Sequence, residues 1–184
     1  MLLVAGPDLA CAAAEIDALR RLYPHATALT GREATVAAVC AAMATSTLVH
    51  VAAHGQFRRD NPLFSSLQLH DGLLSVHHLE TLPRLPSTVV LTACSSGRSG
   101  VLPGDELLGT SASLMSLGVR SLAAPLLPVA DAATVAVAVG IHEGLRRHGR
   151  LAAALADCVR DAHDAGRADL LTAASSFNCF AASA

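Results

Sequence analysis

Apolar and polar positions along the 184-residue chain form short unbroken apolar runs that alternate with longer segments of helical spacing. Leu2 to Ala5 is an apolar run closed by Gly6-Pro7, the pattern of a buried strand ending in a turn. Ala12, Ile16, Leu19 and Leu22 then recur near helical spacing between Leu9 and Leu22, and Pro24 stops that helix. Ala26 to Leu29 predicts a second strand, and Thr30 with Glu33 has the form of a capping box opening an Ala/Val-rich helix to about Ala44. Thr47 to Ala53 predicts a third strand that ends at His54-Gly55. The segments SLQLH and LLSV flank Asp71-Gly72 as a β-hairpin. Ser87 to Ala93 is a fourth strand, ending at Cys94. A Gly/Ser-rich loop, Ser95 to Pro103, leads to a helix from Asp105 to Leu117 closed by Gly118. A fifth strand over Arg120 to Leu127, two Ala-rich helices (Asp131 to His148, Leu151 to Ala165) and a closing strand from Ser176 to Ala182 complete the order.

Strand runs that are apolar throughout, alternating with helices, predict an α/β fold of three layers: a mostly parallel central sheet with helices on both faces. The length suits one domain over residues 1–184, and no repeat or linker divides it. Ligands of such sheets bind beyond the carboxyl ends of the strands. His54 and Cys94, each closing a strand, are therefore expected on the same sheet edge.

Charge narrows the partners. Thirteen basic and 15 acidic residues give a net charge of −2, which lacks the basic footprint of a nucleic-acid binder. Five Cys at wide spacing, with no CxxC pair, do not form a disulfide framework and fit a reducing cytoplasm. The opening MLLVAGPDLACAAAE has no basic n-region and is broken by Gly6, Pro7 and Asp8, so neither an export signal nor a membrane span is expected.

The candidate chemistry lies in HVAAHG at 50–55 and VVLTACSSG at 89–97. A thiol is a useful nucleophile only as thiolate, which calls for an imidazole to take its proton and for partial exposure at a strand end. Ala93, Ser95, Ser96, Gly97 and Gly55 are small enough for a substrate backbone to approach, and backbone N–H groups there suit an oxyanion hole. A thiol phosphatase needs Arg six positions after Cys, but position 100 is Gly and Arg98 falls too early. A zinc site from His50, His54, His77, His78 and Cys94 has no ligand pair of CxxC or HExxH form. His50 is expected in a supporting role.

These two motifs resemble the His and Cys motifs of the caspase-like clan. DNPLFSSLQLHDGLLSV, GDELLGTSASLMSLGVRS and LLPVADAAT are similar to segments of its CHAT branch in the same order. The resemblance implies a caspase–haemoglobinase fold and a cysteine endopeptidase acting on protein or peptide substrates through an acyl-enzyme. It implies His54 as general base and acid, Cys94 as nucleophile, the N–H groups of Gly55 and Cys94 as oxyanion donors, and no metal or cofactor. It also implies a regulator, on tetratricopeptide repeats or another sensor region. Such repeats are not among these residues, which leaves an excised domain and a minimal member as alternatives.

Substrate selection stays open. Asp131 lies where related proteases place acids that select a basic P1 side chain, and Asp8, after the first strand, is a second candidate; as a plain structural residue Asp131 caps the next helix. Arg58, Arg59 and Arg98 flank the motifs and offer recognition of an acidic P1 instead, while their place in expected loops also suits plain solvation. The rival function is a caspase-like module that has kept its motifs and acts by interaction alone.

Overall fold

The computed structural model describes residues 1–56, 61–92, 111–127, 129 and 131–181. Apolar runs become strands, the central ones buried on both faces. β1 (Leu2–Ala5), β2 (Thr27–Leu29), β3 (Leu48–Ala52), β7 (Thr88–Leu91), β8 (Ser121–Pro125) and β9 (Phe177–Ala181) form one six-stranded sheet in the order β2-β1-β3-β7-β8-β9. Every pair is parallel except β8–β9, which is antiparallel.

Side-chain alternation along each strand feeds two cores. Leu2, Val4, Val49, Val51, Val89 and Leu91 point to one face, covered by α2 (Val36–Met43), α3 (Val76–Glu80) and a helical stretch, α4, described over residues 111–116. Leu3, Ala5, Ala52, Val90 and Ala123 point to the other, covered by α1 (Ala12–Leu22), α5 (Asp131–His148), α6 (Leu151–Asp164) and α7 (Ala168–Ser176). The three-layer α/β arrangement expected from the pattern is the one observed.

Several local expectations are corrected. Thr30 does not open a capping box: residues Gly31–Glu33 make a short 3-10 turn, and α2 begins after Thr35, whose hydroxyl accepts from the Ala38 N–H at 3.2 Å. A carboxylate brought by the hairpin completes that helix start, since Asp71 Oδ1 accepts from the Val36 N–H at 2.8 Å. α3 and α7 lie where no helix is expected. The hairpin forms as predicted, from β5 (Ser66–Gln68) and β6 (Leu73–Ser75), but an unanticipated two-residue strand, β4 (Gly55–Gln56), joins it to make a separate antiparallel sheet, β4-β5-β6. This small sheet presses on the end of β1: a Cβ built on Gly6 would lie 2.5 Å from the Gln68 carbonyl oxygen, so Gly is required there.

Candidate active site

β3 is buried from Val49 to Ala52, and His54 follows at the strand end, half-buried between β3 and β4. Its Nε2 lies 3.1 Å from the backbone oxygen of Asp8, in the turn between β1 and α1. A carbonyl oxygen can only accept, so Nε2 carries the hydrogen and donates. Nδ1 of the neutral ring is then left with its lone pair. It is buried and, among the described residues, the only buried side-chain nitrogen or oxygen without a hydrogen-bond partner. Asp8 turns its carbonyl inward from a left-handed conformation, φ 61°, the only positive φ at a non-glycine residue described.

Gly55 is buried and opposes Leu67 across the β4–β5 ladder. The His54 carbonyl accepts from the Gln68 N–H at 2.8 Å, which makes Gly55 and Leu67 the non-hydrogen-bonded pair of the ladder. The Gly55 N–H therefore turns away from β5, toward the outer edge of the small sheet, where no further strand pairs with β4 among the described residues.

Behind the strand ends runs a buried polar chain that the sequence pattern does not reveal. Glu15 of α1 is 3% exposed, and its Oε1 accepts from His50 Nε2 at 2.6 Å and from the Thr92 hydroxyl at 2.7 Å. On the other side of the His50 ring, Nδ1 lies 3.1 Å from Nε2 of His142 in α5, and the Tyr23 hydroxyl sits 3.3 Å from the His142 carbonyl and 3.4 Å from its Nδ1. His50 and His142 are both fully buried. Burial, and secondarily the neighbouring His50, push His142 down to about 2, so it is neutral at ordinary pH. His50 is thus turned into the core, between Glu15 and His142. Glu15, Thr92 and His142 are the partners missed, and their one sequence signal is polar residues set within otherwise apolar helix stripes and at a strand end.

Cys94, with Ala93 and the segment that follows, lies outside the described residues, as do Arg58, Arg59 and Arg98. Asp131 is the first residue of α5, and its side chain is not among those described. Asp8 is exposed. A small cavity lies at this sheet edge, lined by Ala12, Glu15, Ala52, Thr92, Val129 and Thr134 among others. Cys11, Cys40, Cys158 and Cys179 are free; burial raises Cys40 and Cys179, and burial with the nearby Asp161 and Asp157 raises Cys158 to about 11. Among the described residues no three His, Cys, Asp or Glu side chains converge as a metal site, and no helix is long and apolar enough to cross a membrane.

No curated protein matches the chain. The family model described as the CHAT domain matches residues 2–175, from the first residue of β1 to the penultimate residue of α7. That span contains five of the six central strands, the helices of both outer layers and the strand-end His54, an arrangement consistent with a caspase-like fold. With almost the whole length matched and the layered sheet in place, the chain belongs to the CHAT domain family.

Proposed function

We propose that the chain is a caspase-like cysteine endopeptidase whose dyad is His54 and Cys94. The observation that carries this reading is the His54 ring, whose Nε2–H is held by the Asp8 carbonyl while Nδ1 stands buried and unpartnered at a strand end. A ring so fixed is a general base with its proton-accepting nitrogen free.

In this mechanism Nδ1 takes the proton of the Cys94 thiol, and the thiolate attacks the scissile carbonyl carbon. The resulting oxyanion is received by the N–H groups of Gly55 and Cys94; the outward turn of the Gly55 N–H supports its part in this. Collapse breaks the C–N bond, and His54 returns its proton to the leaving amine. Water, deprotonated at the same nitrogen, then attacks the thioester carbonyl, releasing the acid product and restoring the thiol. The Asp8 carbonyl stabilises the imidazolium formed in each half. Asp131 and the exposed Asp8 carboxylate are the proposed S1 acids, which would select a basic P1 side chain. A reducing, cytoplasmic setting suits the free thiols, and a tetratricopeptide-repeat or other sensor segment is the proposed regulator.

The test is labelling by a peptidyl electrophile at pH 7, with the site read by mass spectrometry, alongside peptide libraries with Arg, Lys, Asp or Glu at P1. Labelling at Cys94, lost in Cys94→Ala and slowed at least ~100-fold in His54→Ala, is expected for a general base. Equal behaviour of the wild type and Cys94→Ala toward probe and libraries sinks the peptidase reading and leaves an interaction module.

A further inference from the structure

The Glu15 carboxylate sits on the α1 face formed by Ala12, Ile16 and Leu19, where an apolar side chain would pack without the cost of burying a charge. Stability alone therefore does not account for it. Its geometry does something that an apolar residue does not: one oxygen, Oε1, is shared by two different strands, through His50 of β3 at 2.6 Å and Thr92 after β7 at 2.7 Å. The same Thr92 donates its N–H to the Val51 carbonyl at 3.0 Å, so the two strand ends are tied directly as well as through the carboxylate. Four residues after His50 comes His54, and two residues after Thr92 comes Cys94.

The chain of rings behind His50 fixes the other end of this tie. With His50 Nε2–H donating to Glu15, the Nδ1 of the neutral ring accepts from His142 Nε2–H at 3.1 Å, and His142 Nδ1 faces the Tyr23 hydroxyl. The His50 and His142 nitrogens are in direct hydrogen-bond contact, which leaves no space for an ion between them.

We propose that Glu15 is a positioning residue that, through His50 and Thr92, holds the ends of β3 and β7 in the relation the dyad needs. This rests on the His54/Cys94 reading of the site. Thr92 is the link to probe, because Thr92→Val keeps the volume and removes only the hydroxyl, while Thr92→Ser restores it.

The experiment follows alkylation of Cys94 by iodoacetamide across pH 5 to 9 in the whole chain, with displacement of iodide read as adduct mass at that residue. Thr92→Val is expected to move the midpoint of the rate profile upward by about one unit, slowing the reaction about tenfold on the acid side of the midpoint, while Thr92→Ser stays within about twofold of the wild type. Loss of thermal stability in Thr92→Val with an unmoved profile overturns the proposal and reduces Glu15 to a packing role. Should Thr92→Val fail to fold, Glu15→Gln takes its place, with slowing of threefold or more expected and a wild-type profile overturning the proposal. His54→Ala separates the two layers of the argument. If its profile coincides with the wild type, the dyad reading fails and the positioning role falls with it; if it differs while Thr92→Val does not, only the positioning role fails.

Discussion

His142 Nε2 and His50 Nδ1 meet at 3.1 Å in the core, with ring planes inclined at 64°. Such a contact admits one hydrogen between two nitrogens. His142, pushed down to about 2 by burial and then by His50, does not take up a second. The unfolded chain, with an ordinary imidazole, does. Between about pH 2 and 6.5 the unfolded state therefore binds more protons, so stability rises with pH and is lost as pH falls below the unfolded value. The slope from this one group approaches ~1.4 kcal/mol per pH unit. Urea unfolding of His142→Gln at pH 4.5, 5.5 and 6.5 is expected to show a shallower acid slope than the wild type, by up to about 1 kcal/mol per unit, whatever its stability at pH 7.5. An unchanged slope would mean that His142 accepts a proton in the fold.

Asp8 holds His54 with a carbonyl that depends on φ 61°. Glycine adopts that conformation freely, whereas a β-branched residue is strained there by about 1–2 kcal/mol. Asp8→Val is expected to react with the peptidyl probe on the order of fivefold more slowly than Asp8→Gly. Both variants lose the carboxylate, so any S1 contribution drops out of the comparison. Equal rates would show that the carbonyl does not hold the ring in solution.

Gly144 of α5 packs tightly against α6, where a Cβ would lie 2.7 Å from the Ala154 Cα and 2.8 Å from its Cβ. Alanine in a helix interior normally gains about 1 kcal/mol over glycine. Overpacking a tight contact costs ~1–3 kcal/mol and wins here, because a backbone atom of Ala154 is in the way. Gly144→Ala should lower stability by about 1–2 kcal/mol in denaturant unfolding; a stabilised variant would mean that α6 shifts aside freely.

The start of α2 offers a ranking of two threonines. Thr35 caps the helix through Ala38 N–H, and Thr30 makes no side-chain cap. Thr35→Ala is expected to lose about 1 kcal/mol and Thr30→Ala only a few tenths. Thermal melts of the two variants decide it, and the reverse order would return the cap to Thr30.

His54 could be placed from sequence because an unbroken run, Leu48–Ala52, must lie between two layers, and a residue that ends such a run emerges at a sheet edge. The long-range partners could not. Glu15 and His142 occupy helix stripes whose other members are Ile16, Leu19, Val137 and Ile141, and nothing local tells that Glu15 will meet His50 35 positions on or that His142 will meet it from 92 positions away. α7 is not legible in the sequence because Ala and Ser make little apolar contrast along ADLLTAASS. The capping box failed at Thr30 because Thr35, with Asp71 reaching over from the hairpin, competes for the same helix start.

The carboxylate shared between β3 and β7 also limits how this domain can be rebuilt. Removing the Glu15 or the His50 side chain alone leaves a buried ring N–H unmatched, at His50 or at His142, a loss of about 1–3 kcal/mol, whereas the Thr92 hydroxyl has a second acceptor in the Val51 carbonyl at 3.4 Å. Grafting α1 from one relative onto the strands of another would succeed only if Glu15 and His50 travel together. Helix and strand are therefore a single inheritable unit, although the chain separates the two residues by 35 positions.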